Sequence, residues 1–84
     1  MKINFTPKAL AHYHYWKEKD KKILKKINEL IKDIQRNPFA GVGKPEALKL
    51  NLNGYWSRRI NQEHRLIYKI EDDCIIIVQC RYHY

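Results

Sequence analysis

The strongest constraint on the fold is a run of five apolar residues, Cys74-Ile75-Ile76-Ile77-Val78, close to the C-terminal end of the sequence. β-Branched side chains suit a pleated, buried surface, so the run predicts a core strand. A sheet must therefore be built around one of the last elements of the chain. The run leads straight into Arg81-Tyr82-His83-Tyr84, which places a guanidinium, two phenols and an imidazole on the end of that strand. Chain ends ordinarily fray and tolerate substitution. An end tied to the core and loaded with titratable groups reads as a working part.

The remainder of the sequence supplies what such a strand needs. Lys2-Ile3-Asn4-Phe5 alternates as a short strand. Thr6-Pro7 then predicts a helix start, with Thr6 as N-cap and Pro7 where its missing N–H costs nothing. Leu10, Tyr13 and Trp16 give that helix an apolar stripe to about Lys19, and His12 and His14 within it read as surface or packing residues. Asp20 caps a second helix, in which Ile23, Leu24, Ile27, Leu30, Ile31 and Ile34 recur at the helical period. It must end before Pro38. An irregular loop, Pro38 to Glu46, precedes Leu48, Leu50 and Leu52, whose alternation predicts a half-buried strand. Asn53-Gly54 is a strong turn signal. Strands are expected over Tyr55–Ile60 and Arg65–Ile70, with turns at Asn61–His64 and Glu71–Asp73. The 84 residues leave room for one domain, spanning 1–84. The expected class is α+β: an N-terminal strand and a two-helix hairpin packed on one face of a largely antiparallel four- to five-stranded sheet.

Counting the turns assigns side chains to faces. A four-residue loop at Asn61–His64 would set Ile60 opposite Arg65 and Arg58 opposite Ile67. A three-residue loop at Glu71–Asp73 would set Ile70 opposite Cys74 and Leu66 opposite Val78. The core face would then hold Leu66, Tyr68, Ile70, Cys74, Ile76, Val78 and Cys80. The other would hold Trp56, Arg58, Arg65, Lys69, Gln79, Arg81 and His83, interleaved with Ile60, Ile67, Ile75 and Ile77. A basic face with an aromatic ring offers charge for phosphates and a surface for stacking bases. The register decides this, because a slip of one residue moves every side chain across the sheet.

Charge points the same way. A formal net charge of +8 attracts polyanions such as RNA, DNA, a ribosome or an acidic protein. The helical lysines read equally well as a solvated surface, whereas Arg58, Arg59, Arg65 and Arg81 all fall in or beside expected strands. No apolar run approaches a membrane span and the N-terminus has no signal-peptide core, so a cytoplasmic protein is expected, with no membrane partner. Cys74 and Cys80, six apart in one strand, lie about 20 Å from each other, beyond disulfide reach. Both read as buried thiols. No metal-ligand spacing and no phosphate-binding glycine motif is present.

Three residues match the needs of RNA cleavage by side chains alone. Glu46 is a loop carboxylate beside lysines, Arg65 begins a strand, and His83 lies near several arginines. Such a reaction needs a group to take the 2′-OH proton, one to stabilise the charged phosphorane and one to protonate the departing 5′-oxygen. Simpler readings exist for each: a solvated carboxylate, an Arg65 ion pair with Glu63 or Glu71, and an inert terminal histidine.

Lys44-Pro45-Glu46, Leu48-Lys49, Gly54-Tyr55-Trp56-Ser57-Arg58-Arg59-Ile60, Glu63-His64-Arg65-Leu66 and the Arg81-Tyr82-His83-Tyr84 ending together resemble the YoeB (Txe/YoeB) toxins of the RelE/ParE superfamily of bacterial toxin–antitoxin modules. The likeness runs from Met1 to Tyr84, with Tyr55 standing for a more usual Phe. It implies a RelE-like, microbial-RNase-like fold and a ribosome-dependent mRNA endonuclease acting in the A site of the 70S ribosome, without cofactor or metal. By the same match Glu46 would be general base, Arg65 transition-state stabiliser and His83 general acid. Tyr84 would position substrate or tail, and Lys49 and Arg59 would contact phosphate or ribosomal RNA. Arg58, Arg81 and Trp56 join them as RNA-binding candidates from the basic face. The resemblance further implies a YefM-like antitoxin partner, a homodimer, and operator DNA bound together with the antitoxin. A gyrase-inhibiting protein or a basic ribosome-binding module on the same scaffold is the competing reading.

Overall fold

Two residues set the helical hairpin. The computed structural model describes residues 1–83. Thr6 accepts the Ala9 N–H through its hydroxyl at 3.2 Å, opening α1 (Pro7–Lys19). Asp20 closes α1 by donating its N–H to the Trp16 carbonyl, and its carboxylate accepts the N–H groups of Lys22 and Ile23 at the head of α2 (Lys21–Arg36). One residue thus ends one helix and begins the next.

The helices cover one face of a five-stranded sheet ordered β1-β5-β4-β3-β2. Its strands are β1 (Lys2–Phe5), β2 (Glu46–Ala47), β3 (Trp56–Arg59), β4 (Arg65–Glu71) and β5 (Cys74–Gln79). β1 runs parallel to β5, and the other pairings are antiparallel. The fold is the α+β arrangement expected, and the apolar run lies inside the sheet with a neighbour on each side. Ile27, Leu30, Ile31 and Ile34 of α2 and Ala9 and Trp16 of α1 close on Leu66, Tyr68, Ile75 and Ile77. Leu10 is not part of this contact and is exposed.

Three local expectations fail, each for a physical reason. The alternating leucines do not make a strand. β2 is short, and Leu50–Leu52 is a 3-10 turn closed by Leu52 N–H to Lys49 C=O (3.1 Å) and Asn53 N–H to Leu50 C=O (3.0 Å). Leu48 is buried, but Leu50 is 91% exposed with φ +59°. Local hydrogen bonds outcompete a period-two pattern that has no core to face.

The β3–β4 connection is one residue longer than counted. Arg59, not Ile60, stands opposite Arg65, and Arg58 stands opposite Leu66. The Asn61 side chain accepts the N–H groups of Glu63 and His64, and Ile60 turns into the core. That slip carries Trp56 and Arg58 to the helix-covered side.

The β4–β5 turn is one residue shorter than counted. Asp72 and Asp73 both adopt positive φ (52° and 58°), the twist of a tight two-residue hairpin turn, so Ile70 faces Ile75 and Glu71 faces Cys74. The buried residues of β5 are therefore Ile75 and Ile77, with Cys74, Ile76 and Val78 only half-buried. An irregularity between Ile67 and Tyr68 shifts the register, and beyond it Cys80 is fully buried. Burial pushes the Cys80 thiol up to about 12.

Candidate active site

The corrected register builds the site. Glu46 stands directly opposite Ser57, Ser57 is two residues from Arg59 on the same strand, and Arg59 stands opposite Arg65. Side chains paired across antiparallel strands, or two apart along one, leave the same face. All four therefore lie on the sheet face away from the helices.

The tail reaches this face by a sharp bend. The Tyr82 N–H donates to His64 Nδ1 at 2.7 Å, and the Arg65 N–H donates to the Tyr82 carbonyl at 3.0 Å. Tyr82 adopts φ +69°, a left-handed conformation that costs a non-glycine residue roughly 1–2 kcal/mol. Upstream, Trp16 Nε1 donates to the Cys80 carbonyl (2.8 Å) and the Cys80 N–H donates to His12 Nδ1 (3.2 Å). Burial, then the charges of Lys8 and Arg81, push the His12 pKa down and favour the neutral ring that this bond requires. The Arg81 guanidinium lies 3.5 Å from the Tyr15 ring centroid, and the Gln79 amide donates to the His83 carbonyl at 3.1 Å.

The bend removes the overshoot that a straight antiparallel continuation of β5 would give. His83 lines a cleft of about 330 Å³ with Lys44, Pro45, Glu46, Ser57, Arg59 and Arg65. A second cleft, of about 620 Å³, shares Lys44, Arg59 and Arg65 and extends past Asn61 and Gln62 to Lys26 on α2. A basic groove so leads away from the Glu46–His83 cleft. Among the described residues no group of three or more His, Cys, Asp or Glu side chains could hold a metal ion.

Arg65 is nine-tenths buried, and among the described residues its guanidinium is oriented by backbone carbonyls, with no carboxylate paired to it. Its guanidinium donates to the backbone carbonyls of Asn61 (2.8 Å), Gln62 (3.3 Å) and His64 (3.1 Å). Glu63 approaches His64 instead, and Glu71 pairs with Lys69. The loop therefore fixes the direction of the guanidinium.

Other candidates are placed elsewhere. Arg58 is completely buried. It donates to the Asp33 carboxylate, the Tyr68 hydroxyl and the carbonyls of Asn37, Ala40 and Val42. That network ties the 38–45 loop to α2 and cannot serve RNA. The Val42 N–H, followed by Arg58, holds the Asp33 carboxyl below the usual carboxylate range. Gly41 passes over the pair at φ +121°, where a Cβ would lie 2.2 Å from an Asp33 oxygen. Trp56 packs on Phe39 at 4.9 Å between ring centroids, on the core side and away from the cleft. Arg81 is committed to its aromatic stack. Lys49 is exposed beyond β2, and Tyr84 lies outside the described residues.

The arrangement can be set beside known proteins. The family model for YoeB-like toxins of bacterial type II toxin–antitoxin systems matches residues 5–84. The chain belongs to this family.

Toxin YoeB of Escherichia coli K12 is 58% identical over 84 residues, covering all of both chains. Toxin YoeB of Streptomyces coelicolor is also 58% identical over 84 residues, again covering both chains fully. Among solved structures, a YoeB/ParE toxin from Agrobacterium tumefaciens superposes with a TM-score of 0.98 at 44% identity, covering 100% of each chain. The heterotetrameric YoeB–YefM toxin–antitoxin complex from Staphylococcus aureus matches at a TM-score of 0.93 and 55% identity, covering 100% of this chain and 98% of that one. YoeB from the same organism has also been seen as a dimer, with a TM-score of 0.94 at 55% identity over 100% and 98% of the two chains. A YoeB-like toxin with this cleft holds Glu46, Arg59, Arg65 and His83 together and keeps Arg58 and Trp56 for the core. Sequence reasoning passed over Ser57, Lys26 and His64. Ser57 and His64 lay inside recognised blocks, but nothing in their spacing marked a role.

Proposed function

We propose that this YoeB-like toxin is an endoribonuclease that cleaves mRNA in the ribosomal A site by general acid–base chemistry. The observation that carries this reading is the convergence of a carboxylate, two guanidinium groups and an imidazole on one open cleft, from β2, β3, β4 and the tail. Glu46 takes the proton from a ribose 2′-OH, and the 2′-oxygen attacks the adjacent phosphorus. Arg65, held by three carbonyls, and Arg59 beside it neutralise the charge that builds on the phosphorane. His83, protonated, gives its proton to the departing 5′-oxygen. Cleavage leaves a 2′,3′-cyclic phosphate and a 5′-OH. The basic groove toward Lys26 supports binding of the flanking phosphates or ribosomal RNA, with Lys49 as a further exposed cation.

A YoeB–YefM complex and a YoeB dimer among the relatives support two further assignments: a YefM-like antitoxin holds the protein inactive, and the free toxin forms a homodimer. Together with the antitoxin it also binds operator DNA. Its place of action is the cytoplasm, where translation occurs; among the described residues no helix is long and apolar enough to cross a membrane.

His83→Gln keeps the backbone contacts of the tail and removes the proton donor. On ribosomes programmed with a defined message, cleavage by this variant should fall by about 10²–10⁴-fold. Undiminished cleavage would remove His83 from the mechanism. Topoisomerase inhibition by the parent protein, with no cleavage, would favour the non-catalytic reading.

A further inference from the structure

His64 is the least explained polar residue near the cleft. It is 7% exposed, packed edge-on against Trp16 with ring centroids 4.8 Å apart, and lines neither cleft. Its one side-chain hydrogen bond among the described residues is the acceptance of the Tyr82 N–H at Nδ1, 2.7 Å away. A backbone amide only donates, so Nδ1 carries no proton. The proton of the neutral ring sits on Nε2, 3.6 Å from a Glu63 carboxylate oxygen.

This bond and the Arg65 N–H to Tyr82 carbonyl bond fall on either side of Tyr82. Together they clamp a left-handed residue to the His64–Arg65 pair. Such a conformation persists only where its surroundings impose it. Directly after the bend comes His83, at the cleft.

We propose that His64 is a positioning residue: by accepting the Tyr82 N–H, its neutral imidazole imposes the bend that brings His83 to Glu46 and Arg65. The inference rests on the ribonuclease reading for its effect on rate, but not for its effect on the tail. His64 touches no reacting atom. It acts through the backbone, and it does so from the loop that also aims Arg65, so one turn sets both Arg65 and His83.

The test compares two variants of the full chain. His64→Asn places an acceptor oxygen where Nδ1 stood; His64→Leu fills a similar space and accepts nothing. On programmed ribosomes His64→Leu should lose about 10²-fold in kcat with little change in KM, the cost of misplacing a catalytic group by about an ångström. His64→Asn should recover most of that loss. In proton–carbon spectra the His83 imidazole resonances should move in His64→Leu and stay near their parent positions in His64→Asn. Long-range proton–nitrogen spectra of the parent should show His64 Nδ1 unprotonated, a measurement that needs no variant to fold. Parent-like kcat in His64→Leu, unmoved His83 resonances in that variant, or a protonated Nδ1 in the parent would each overturn the proposal. A parent that cleaves nothing would instead overturn the ribonuclease reading. The His83 resonances and the Nδ1 protonation state would then decide the proposal alone.

Discussion

Arg59 and Arg65 stand directly opposite each other at the last rung of the β3–β4 ladder, so two cationic side chains leave one sheet face side by side. Like charges so paired destabilise a sheet, by an amount within the 0.2–1 kcal/mol scale of cross-strand pairs. The pairing makes sense where an anion is to be held. Arg59→Ser should therefore melt at the parent temperature or above it, with a gain of up to about 1 kcal/mol. The same variant should bind single-stranded RNA less tightly, with a salt slope shallower by about 0.7. A variant both less stable and unchanged in salt slope would contradict this account.

Arg58 carries the opposite balance. Arg58→Met removes one donor from the Asp33 carboxylate, which keeps the Val42 N–H, and removes the Arg58 donor from the Tyr68 hydroxyl and three carbonyls. The expected loss is about 3–5 kcal/mol, as for removing one member of a buried pair, read from urea midpoints at neutral pH. Asp33 adds a pH dependence whose sign is fixed. Its folded-state pKa lies below the ordinary 3.8, so its contribution is complete above 3.8 and disappears as pH falls through the folded-state value. The stability gap between the parent and Asp33→Asn should narrow on acidification below 3.8.

Leu50 is a correctable strain. It is 91% exposed at φ +59°, and its side chain has no burial to lose. Asparagine tolerates left-handed backbone better. Leu50→Asn should stabilise the fold by about 0.5–1 kcal/mol, a rise of several degrees in Tm for a domain of this size. Calorimetry would measure it.

Removal of Tyr82–Tyr84 should abolish activity with a modest effect on folding. Among the described residues three hydrogen bonds to the tail backbone are lost, two about 0.5–1.5 kcal/mol each and the exposed Gln79–His83 bond less, and the left-handed strain at Tyr82 is released. The net change should be below about 2 kcal/mol in a thermal melt, because Cys80 and Arg81 retain their anchors on α1.

The elements were legible in the sequence where one signal dominates. Thr6-Pro7, Asp20 and the Ile23–Ile34 stripe located both helices, since caps and a helical period act within a few residues. The existence of β1, β3, β4 and β5 was legible too, but the Leu48–Leu52 alternation reads as a strand and is a 3-10 turn, and strand register was not legible. Asp72 and Asp73 close a two-residue turn where three were counted, and the Asn61 side chain extends a loop by one. Each slip of one residue inverts a face. Arg58 and Trp56 therefore read as a nucleic-acid platform, but Arg58 proves to be interior and Trp56 half-buried on the helix-covered side, while Ile75 and Ile77 exchange faces with Cys74, Ile76 and Val78. Glu46, Arg65 and His83 were identified by block resemblance. Their meeting depends on the bend at Tyr82, which sequence spacing does not encode.

β1 lies along β5, joining Lys2 to Cys74 across nearly the whole sequence. Contacts so distant along a chain carry a large closure entropy and come late in folding. The helical hairpin needs only local contacts and can form before the sheet that covers it. β5 is at once the partner of β1, the partner of β4 and the root of the tail. Closing the core and completing the cleft are consequently one cooperative step. A molecule in which β5 has not yet paired has no finished cleft.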